Sequence, residues 1–288
     1  MDPGPKPELE FALESGELLP HVQSYYLYRH DARAIRGVER VDIGQIRFML
    51  KGEGERIFPD GHAEPSCPVM VNGPGTAAAT YRIDGPFHCF GVALRAVGWK
   101  SFIGLPADRV ANCVLDGSRI LGAESLDLLE RLRGAFDARR DGGGAAPLPA
   151  RAAAARAQIA CRAGARGCAN GSRRAIPRSR RCSGWCRWGK RQATRLCNEY
   201  FGGPPKLLAR KYRAIRAAMR IHAGENPADV VEPFSDQPHM IKEIKQFTGH
   251  TPTTLRDGID PVVAATLANE SFHFLPDVIP ESVDPGGD

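Results

Sequence analysis

From Gly142 to Trp188 the chain offers almost no aliphatic side chain to bury, and this gap decides how the rest can fold. The run Arg151-Ala152-Ala153-Ala154-Ala155-Arg156 continues into Ala, Arg, Gly, Cys and Ser with no surviving period. Too little apolar surface remains to offset the entropy of ordering it. Between Gly142 and Asn198 there is no Asp or Glu against thirteen Arg and Lys. Removing those thirteen from the formal net charge of +6 leaves about −7 for everything else, so the basic character sits in one stretch. Such a stretch attracts nucleic acid by releasing counterions from phosphates. Ala, Arg, Gly, Pro and Cys are also what GC-rich coding DNA yields out of frame. The segment therefore reads in two ways, as a frame-shifted stretch with the frame restored near Gly189 or as a natural basic linker. Either way it divides the chain into a unit over residues 1–140, a basic segment over 141–188, a second unit over 189–259 and a tail, largely disordered, over 260–288.

No run approaches the ~20 consecutive apolar residues of a membrane span. The N-terminus, Met1-Asp2-Pro3-Gly4, lacks the basic start and apolar core of a secretory leader. The expected location is the cytoplasm, with no membrane partner. Eight cysteines raise the question of disulfides or zinc, and their spacing supports neither. Cys67, Cys89, Cys113 and Cys197 are scattered among apolar neighbours. Cys161, Cys168, Cys182 and Cys186 cluster without a CxxC pair or an intervening histidine, whereas structural zinc takes close ligand pairs. No metal or cofactor is expected.

The first unit reads as β structure. Residues 24–28, 41–50, 69–71 and 88–94 are short apolar or alternating runs. Turn clusters at Lys51-Gly52-Glu53-Gly54, Pro59-Asp60-Gly61 and Asn72-Gly73-Pro74-Gly75 bound them, which argues for a small antiparallel barrel or sandwich. Pro106-Ala107-Asp108 starts a short helix. A longer one over 124–137 carries Leu126, Leu129, Leu132 and Phe136 on one face, either packed on the barrel or forming a dimer seam.

After Gly189 the pattern becomes helical. Arg191 to Tyr200 is a short amphipathic helix stopped by Gly202-Gly203-Pro204-Pro205. Lys206 to Ala223 is a longer one, with Leu208, Tyr212, Ile215 and Met219 at helical spacing. Pro227 to Val231 suggests a further turn, interrupted by Pro233. Asp236 caps a helix over 237–247 with Met240, Ile241, Ile244 and Phe247 on its buried side. Beyond Ile259 the only apolar patch noted is Ser271-Phe272-His273-Phe274-Leu275.

The run Phe234-Ser235-Asp236-Gln237-Pro238-His239-Met240-Ile241-Lys242-Glu243-Ile244-Lys245-Gln246-Phe247 with its closing Thr248-Gly249-His250-Thr251-Pro252 resembles the second recognition helix of the AraC family of transcription regulators. Arg195-Leu196, Tyr200-Phe201-Gly202 and Pro205-Lys206 match in register upstream. Residues 90–95 and 98–106 are similar to the place where the cupin-like barrel of one AraC subgroup ends and a helix follows. The resemblance implies an α+β protein, with an N-terminal cupin-like β-barrel and an all-α C-terminal domain of two helix-turn-helix units. It also implies that the chain regulates transcription, as an activator or a repressor, in association with the nucleoid.

Three departures stand out: Pro233 replaces the usual turn glycine, Pro238 sits in the first turn of the recognition helix, and the helix that should precede Arg191 falls in the basic segment. Proline is tolerated in a first turn, whose amides have no intrahelical partner. The first helix-turn-helix reads as incomplete.

A recognition helix presents a few polar side chains near its N-terminus to base edges in the major groove. On that basis Gln237, His239 and Lys242 on the second helix, and Arg191, Gln192 and Arg195 on the first, are the expected base readers. Lys206, Arg210, Arg213 and Lys245 are expected to hold phosphates. Double-stranded DNA is the implied partner. The barrel would hold a small-molecule effector, and the helical stripe would support a homodimer. Two alternatives stay open. One is a non-functional remnant of such a regulator. The other is a cupin-type metal enzyme using His62, Glu64 and His88, although the usual His-x-His pair is missing.

Overall fold

The computed structural model describes residues 7–137, 189–259 and 261–268. The basic segment's two readings, and the apolar patch at 271–275, fall outside these residues. Eight antiparallel strands come first: β1 (Glu8–Leu13), β2 (Val22–His30), β3 (Ala34–Glu39), β4 (Gln45–Ile57), β5 (Ala63–Pro65), β6 (Val69–Asn72), β7 (Ala79–Leu94) and β8 (Val114–Asp116). They join in the order β1-β2-β7-β4-β6-β8, with β3 added to β7 and β5 to β4. The sixteen-residue β7 pairs with β3 along its first half and β2 along its second. Leu9 of β1 and Val114 of β8, strands at opposite ends of the order, line one cavity, so the sheet curls into a barrel. With the helices that follow, the class is α+β, as expected.

The expected turn at Lys51-Gly52-Glu53-Gly54 is not a turn. β4 runs straight through it, with its register against β7 shifting on either side of Lys51. Gly52 has φ +79, and a Cβ there would lie 2.1 Å from the Pro86 carbonyl oxygen. The glycine thus permits a bulge that bends a long strand rather than ending it. Likewise, residues 41–44 were expected to begin this strand, yet they form a loop that leaves the barrel.

Side chains alternate between two faces, as strand geometry requires. Tyr25, Leu27, Ile46, Phe48, Phe90 and Val92 pack on one side with Trp99, Phe102 and Ile103 of the irregular helical turn at 96–103. After a short helix α1 (Gly117–Leu121), α2 (Glu124–Asp137) lays Leu128, Leu129 and Leu132 on that same side. The buried stripe is rotated from the expected one: Leu126 points to solvent and Leu128 takes its place. The stripe packs on the barrel, where Arg133 also donates to the Met49 carbonyl at 2.9 Å. Tyr26, Tyr28, Met49, Met70, Ile83, Phe87 and Cys89 form the other face, and all of these but Met49 line a cavity.

The helical half comprises α3 (Lys190–Phe201), α4 (Pro205–His222), a 3-10 turn (Pro227–Val230), α5 (Gln237–Thr248), α6 (Pro252–Asp257) and α7 (Pro261–Ala268). Its core joins Ala214, Ile215, Ala218 and Ile221 of α4 to Met240, Ile244 and Phe247 of α5 and Leu255 of α6. The helix α7 departs from the expected unstructured tail, since Val263 and Leu267 are buried in that core. Barrel and helices share an interface. Val41, at the tip of the loop that leaves β3, is buried within the helical core.

Candidate nucleic-acid interface

The helix α3 begins after Gly189 and ends at Gly202, whose φ of +83 closes the last turn in a left-handed cap. The helix α5 begins at Asp236, whose side chain accepts from the His239 amide at 2.7 Å, and tolerates Pro238 in its first turn as expected. It ends at Gly249, φ +78, where a Cβ would come within 2.3 Å of Val38 Cγ1 on the barrel. Removing the cap by Asp236→Ala should lower stability by about 1 kcal/mol, read as an earlier urea midpoint with an unchanged slope. A midpoint indistinguishable from the parent chain would mean that the first turn of α5 holds without it.

Both helices are anchored at their C-terminal ends. The Gln246 and Phe247 carbonyls of α5 accept from the barrel amides of Ala78 at 2.8 Å and Val41 at 2.9 Å. Near the end of α3, Cys197 is buried, and Glu199 accepts from Lys100 Nζ at 2.6 Å. Between them, Lys211 of α4 is buried and donates through Nζ to the carbonyls of Asp42 at 2.7 Å and Gly75 at 3.1 Å. Burial pushes its ammonium down to about 8, against the opposing pull of Asp42 and with the help of Arg40.

The N-terminal halves stay open. Arg191, Gln192 and Arg195 on α3, Lys206 in the first turn of α4, and Gln237 and Lys242 on α5 are all exposed, and so is Lys245 in the last turn of α5. Arg195 keeps only a long 3.7 Å contact with Glu199. His239 differs from the expected base reader. Its Nδ1 lies 2.9 Å from Ser235 Oγ and its Nε2 3.0 Å from Glu243 Oε1, so both ring nitrogens are occupied.

Two expected phosphate ligands are also placed otherwise. Glu243 has no exposed surface and takes Arg210 Nε at 2.5 Å and Arg213 Nη2 at 2.7 Å. Arg213 stacks over Phe234, 4.8 Å from the ring centre, and Arg210 also reaches Gln246 Oε1 at 2.9 Å. These arginines are spent within the fold. They brace α5 against α4, and Lys206 and Lys245 are left as the exposed cations of the expected phosphate set. Glu243 and Lys211 were both missed, since each looks like an ordinary polar position on its own helix.

The candidate metal ligands of the barrel are not gathered. His62 pairs with Asp60, Glu64 accepts the Val114 amide, and His88 Nε2 lies 2.9 Å from Asp31. Among the described residues no group of three or more His, Cys, Asp or Glu is arranged to hold a metal. No described helix is long and apolar enough to cross a membrane.

No protein-family model and no curated protein matches the chain. Among solved structures it is similar to ToxT from Vibrio cholerae, at 10% identity over 88% of this chain and 100% of that one, TM-score 0.37. It is also similar to the AraC-like transcriptional activator CuxR, at 11% identity over 91% and 88%, TM-score 0.26. It is similar as well to procruciferin, an 11S globulin from Brassica napus, at 14% identity and TM-score 0.25. That match covers 31% of this chain, which spans about a quarter (27%) of the globulin.

Proposed function

We propose that the chain is a sequence-specific DNA-binding transcription regulator of the AraC type, and not an enzyme, acting in the cytoplasm on the nucleoid. The observation that carries the reading is the shared polarity of α3 and α5. Each is seated at its C-terminal end on the barrel and exposes polar side chains in its N-terminal half, Arg191, Gln192 and Arg195 on α3 and Gln237 and Lys242 on α5. That is the disposition a helix needs to enter a major groove end-on while a scaffold holds it from behind. On this reading Arg191, Gln192, Arg195, Gln237 and Lys242 face bases, and Lys206 and Lys245 face phosphates. His239 supports α5 in place of reading. The barrel cavity takes a small-molecule effector, and two copies of the chain act together on paired half-sites.

The test is a titration against cognate and random duplexes at several salt concentrations. Gln237→Ala should weaken cognate binding by ~1–3 kcal/mol and leave random DNA nearly unchanged, because its amide pair suits one base edge. Lys206→Ala should weaken both duplexes alike and reduce the salt slope by about one, as for one lost phosphate contact. Equal losses on both duplexes for Gln237→Ala would make α5 a backbone clamp. A parent chain that cannot tell the two duplexes apart would favour the remnant reading.

A further inference from the structure

The helix α7 lies where two parts of the molecule meet. Its sequence, Pro-Val-Val-Ala-Ala-Thr-Leu-Ala, carries no charge and one hydroxyl. Val263 and Leu267 are buried in the helical core, while Val262 packs against the cluster of Tyr26, Tyr28, Met70 and Phe87 inside the barrel. Val262, Val263 and Thr266 form part of the wall of the barrel cavity, which holds about 110 Å³ of free space. Thr266 Oγ1 accepts from Nε of the buried Arg40 at 3.0 Å, fixing the helix to the loop that follows β3. A helix that is apolar all round is stable only when covered on more than one side, and here the barrel and the helical core each cover one.

The cavity answers its own charges. Glu39 is held by Arg47 and Arg56, which keep its carboxylate down to about 2 although burial acts the other way. Arg47 also donates to Tyr26 Oη at 2.6 Å, Tyr26 donates to Gln45 Oε1 at 2.7 Å, and Asp42 lies beside Arg40. Glu55 and Glu64 also line the cavity; Arg82 lies 3.4 Å from Glu55, and Glu64 accepts the Val114 amide. Leu9, Phe11, Tyr28, Met70, Phe87 and Cys89 give much of the remaining wall an apolar surface, with Ser66 and Asn72 among its polar members.

We propose that α7 is a C-terminal latch: it walls one side of the barrel cavity and ties it to the helical core, and its release widens the cavity for a small, largely apolar molecule. The regulatory consequence, that such a ligand and α7 compete for one wall and so alter the seating of the recognition helices, rests on the DNA-binding reading above. The latch itself does not.

Cys89 provides a readout independent of DNA. It is buried at 2% exposure on the cavity wall, whereas Cys197 is buried at 6% on the inner face of α3, in a different part of the molecule. Alkylation by N-ethylmaleimide, followed peptide by peptide by mass spectrometry, compares three proteins: the full chain, the full chain carrying Leu267→Asp, and a chain ended after Ile259. Release of the latch should speed modification of Cys89 by about tenfold or more in both variants, with Cys197 as protected as in the parent, because only the local opening has become easier. Unchanged Cys89 rates with Cys197 still protected would overturn the latch. So would equal loss of protection at both cysteines, which would make α7 an ordinary part of one cooperative core. DNA titrations of the same proteins then stand or fall separately.

Discussion

Replacing Arg210 and Arg213 together by alanine should destabilise the chain by about 3–5 kcal/mol, the usual cost of stranding a buried charge without its partners. Glu243 has no exposed surface, and once both guanidinium groups are gone His239 alone among its described ion-pair partners remains beside its carboxylate. The reverse change should be milder. Glu243→Leu leaves two arginines whose side chains are each 30% exposed, so their heads can turn into water. We expect that substitution to cost less than about 2 kcal/mol, since an apolar residue of similar volume replaces the buried anion. Urea denaturation of the two variants gives the ordering directly. A Glu243→Leu chain less stable than the double arginine variant would show that the carboxylate, and not its burial, is what the interface needs.

The second large effect is a pH dependence. The folded state depresses the Lys211 ammonium from 10.5 to about 8, and burial is the main cause. Between those two values the unfolded chain binds the proton that the folded chain has released, so stability rises with pH across that window. Below pH 8 both states carry the proton, and the folded state bears the full penalty of burying it. The difference amounts to about 3 kcal/mol over the whole interval, at 1.36 kcal/mol per unit. Other groups titrate nearby, so the measurement is the stability of the parent chain minus that of Lys211→Met, from pH 7 to pH 10.5. The parent should run level with the variant below about pH 8 and gain on it from there to pH 10.5. A flat difference would mean that Lys211 reaches solvent and that the hydrogen bonds to Asp42 and Gly75 are not its resting state.

Much of α5 was legible before any coordinates. Asp236 as cap, Met240, Ile244 and Phe247 as the buried stripe, and Gly249 as the stop all follow from local rules, and all are found in place. The same reading failed at Glu243. One helix face seen alone gives no hint that Arg210 and Arg213, some thirty residues earlier, will cross over it. His239 fell to the same blindness, because its partners sit one turn away on either side. The stripe of α2 was read with one wrong member, Leu126 for Leu128, while Leu129, Leu132 and Phe136 pack as expected; only the barrel decides between the two leucines. Lys51-Gly52-Glu53-Gly54 was read as a turn because glycine marks turns and bulges alike, and the length of β4 is set by its partner β7. The helix α7 escaped for an instructive reason. A segment covered on two sides has no polar face, so it shows no period, and the Pro-, Asp- and Gly-rich residues after it drew the reading toward an unstructured tail.

The loop carrying Val41 has a bearing on how such a protein can change over generations. A side chain that belongs by sequence to the barrel completes the packing of the helices, and the amides of Val41 and Ala78 satisfy the last carbonyls of α5. A foreign barrel grafted onto these helices would leave a methyl-lined hole and two bare acceptors at the interface. A foreign helical half would meet a valine with nowhere to go. The two halves are therefore poor candidates for shuffling as independent cassettes, and descent should keep them together as one inherited piece.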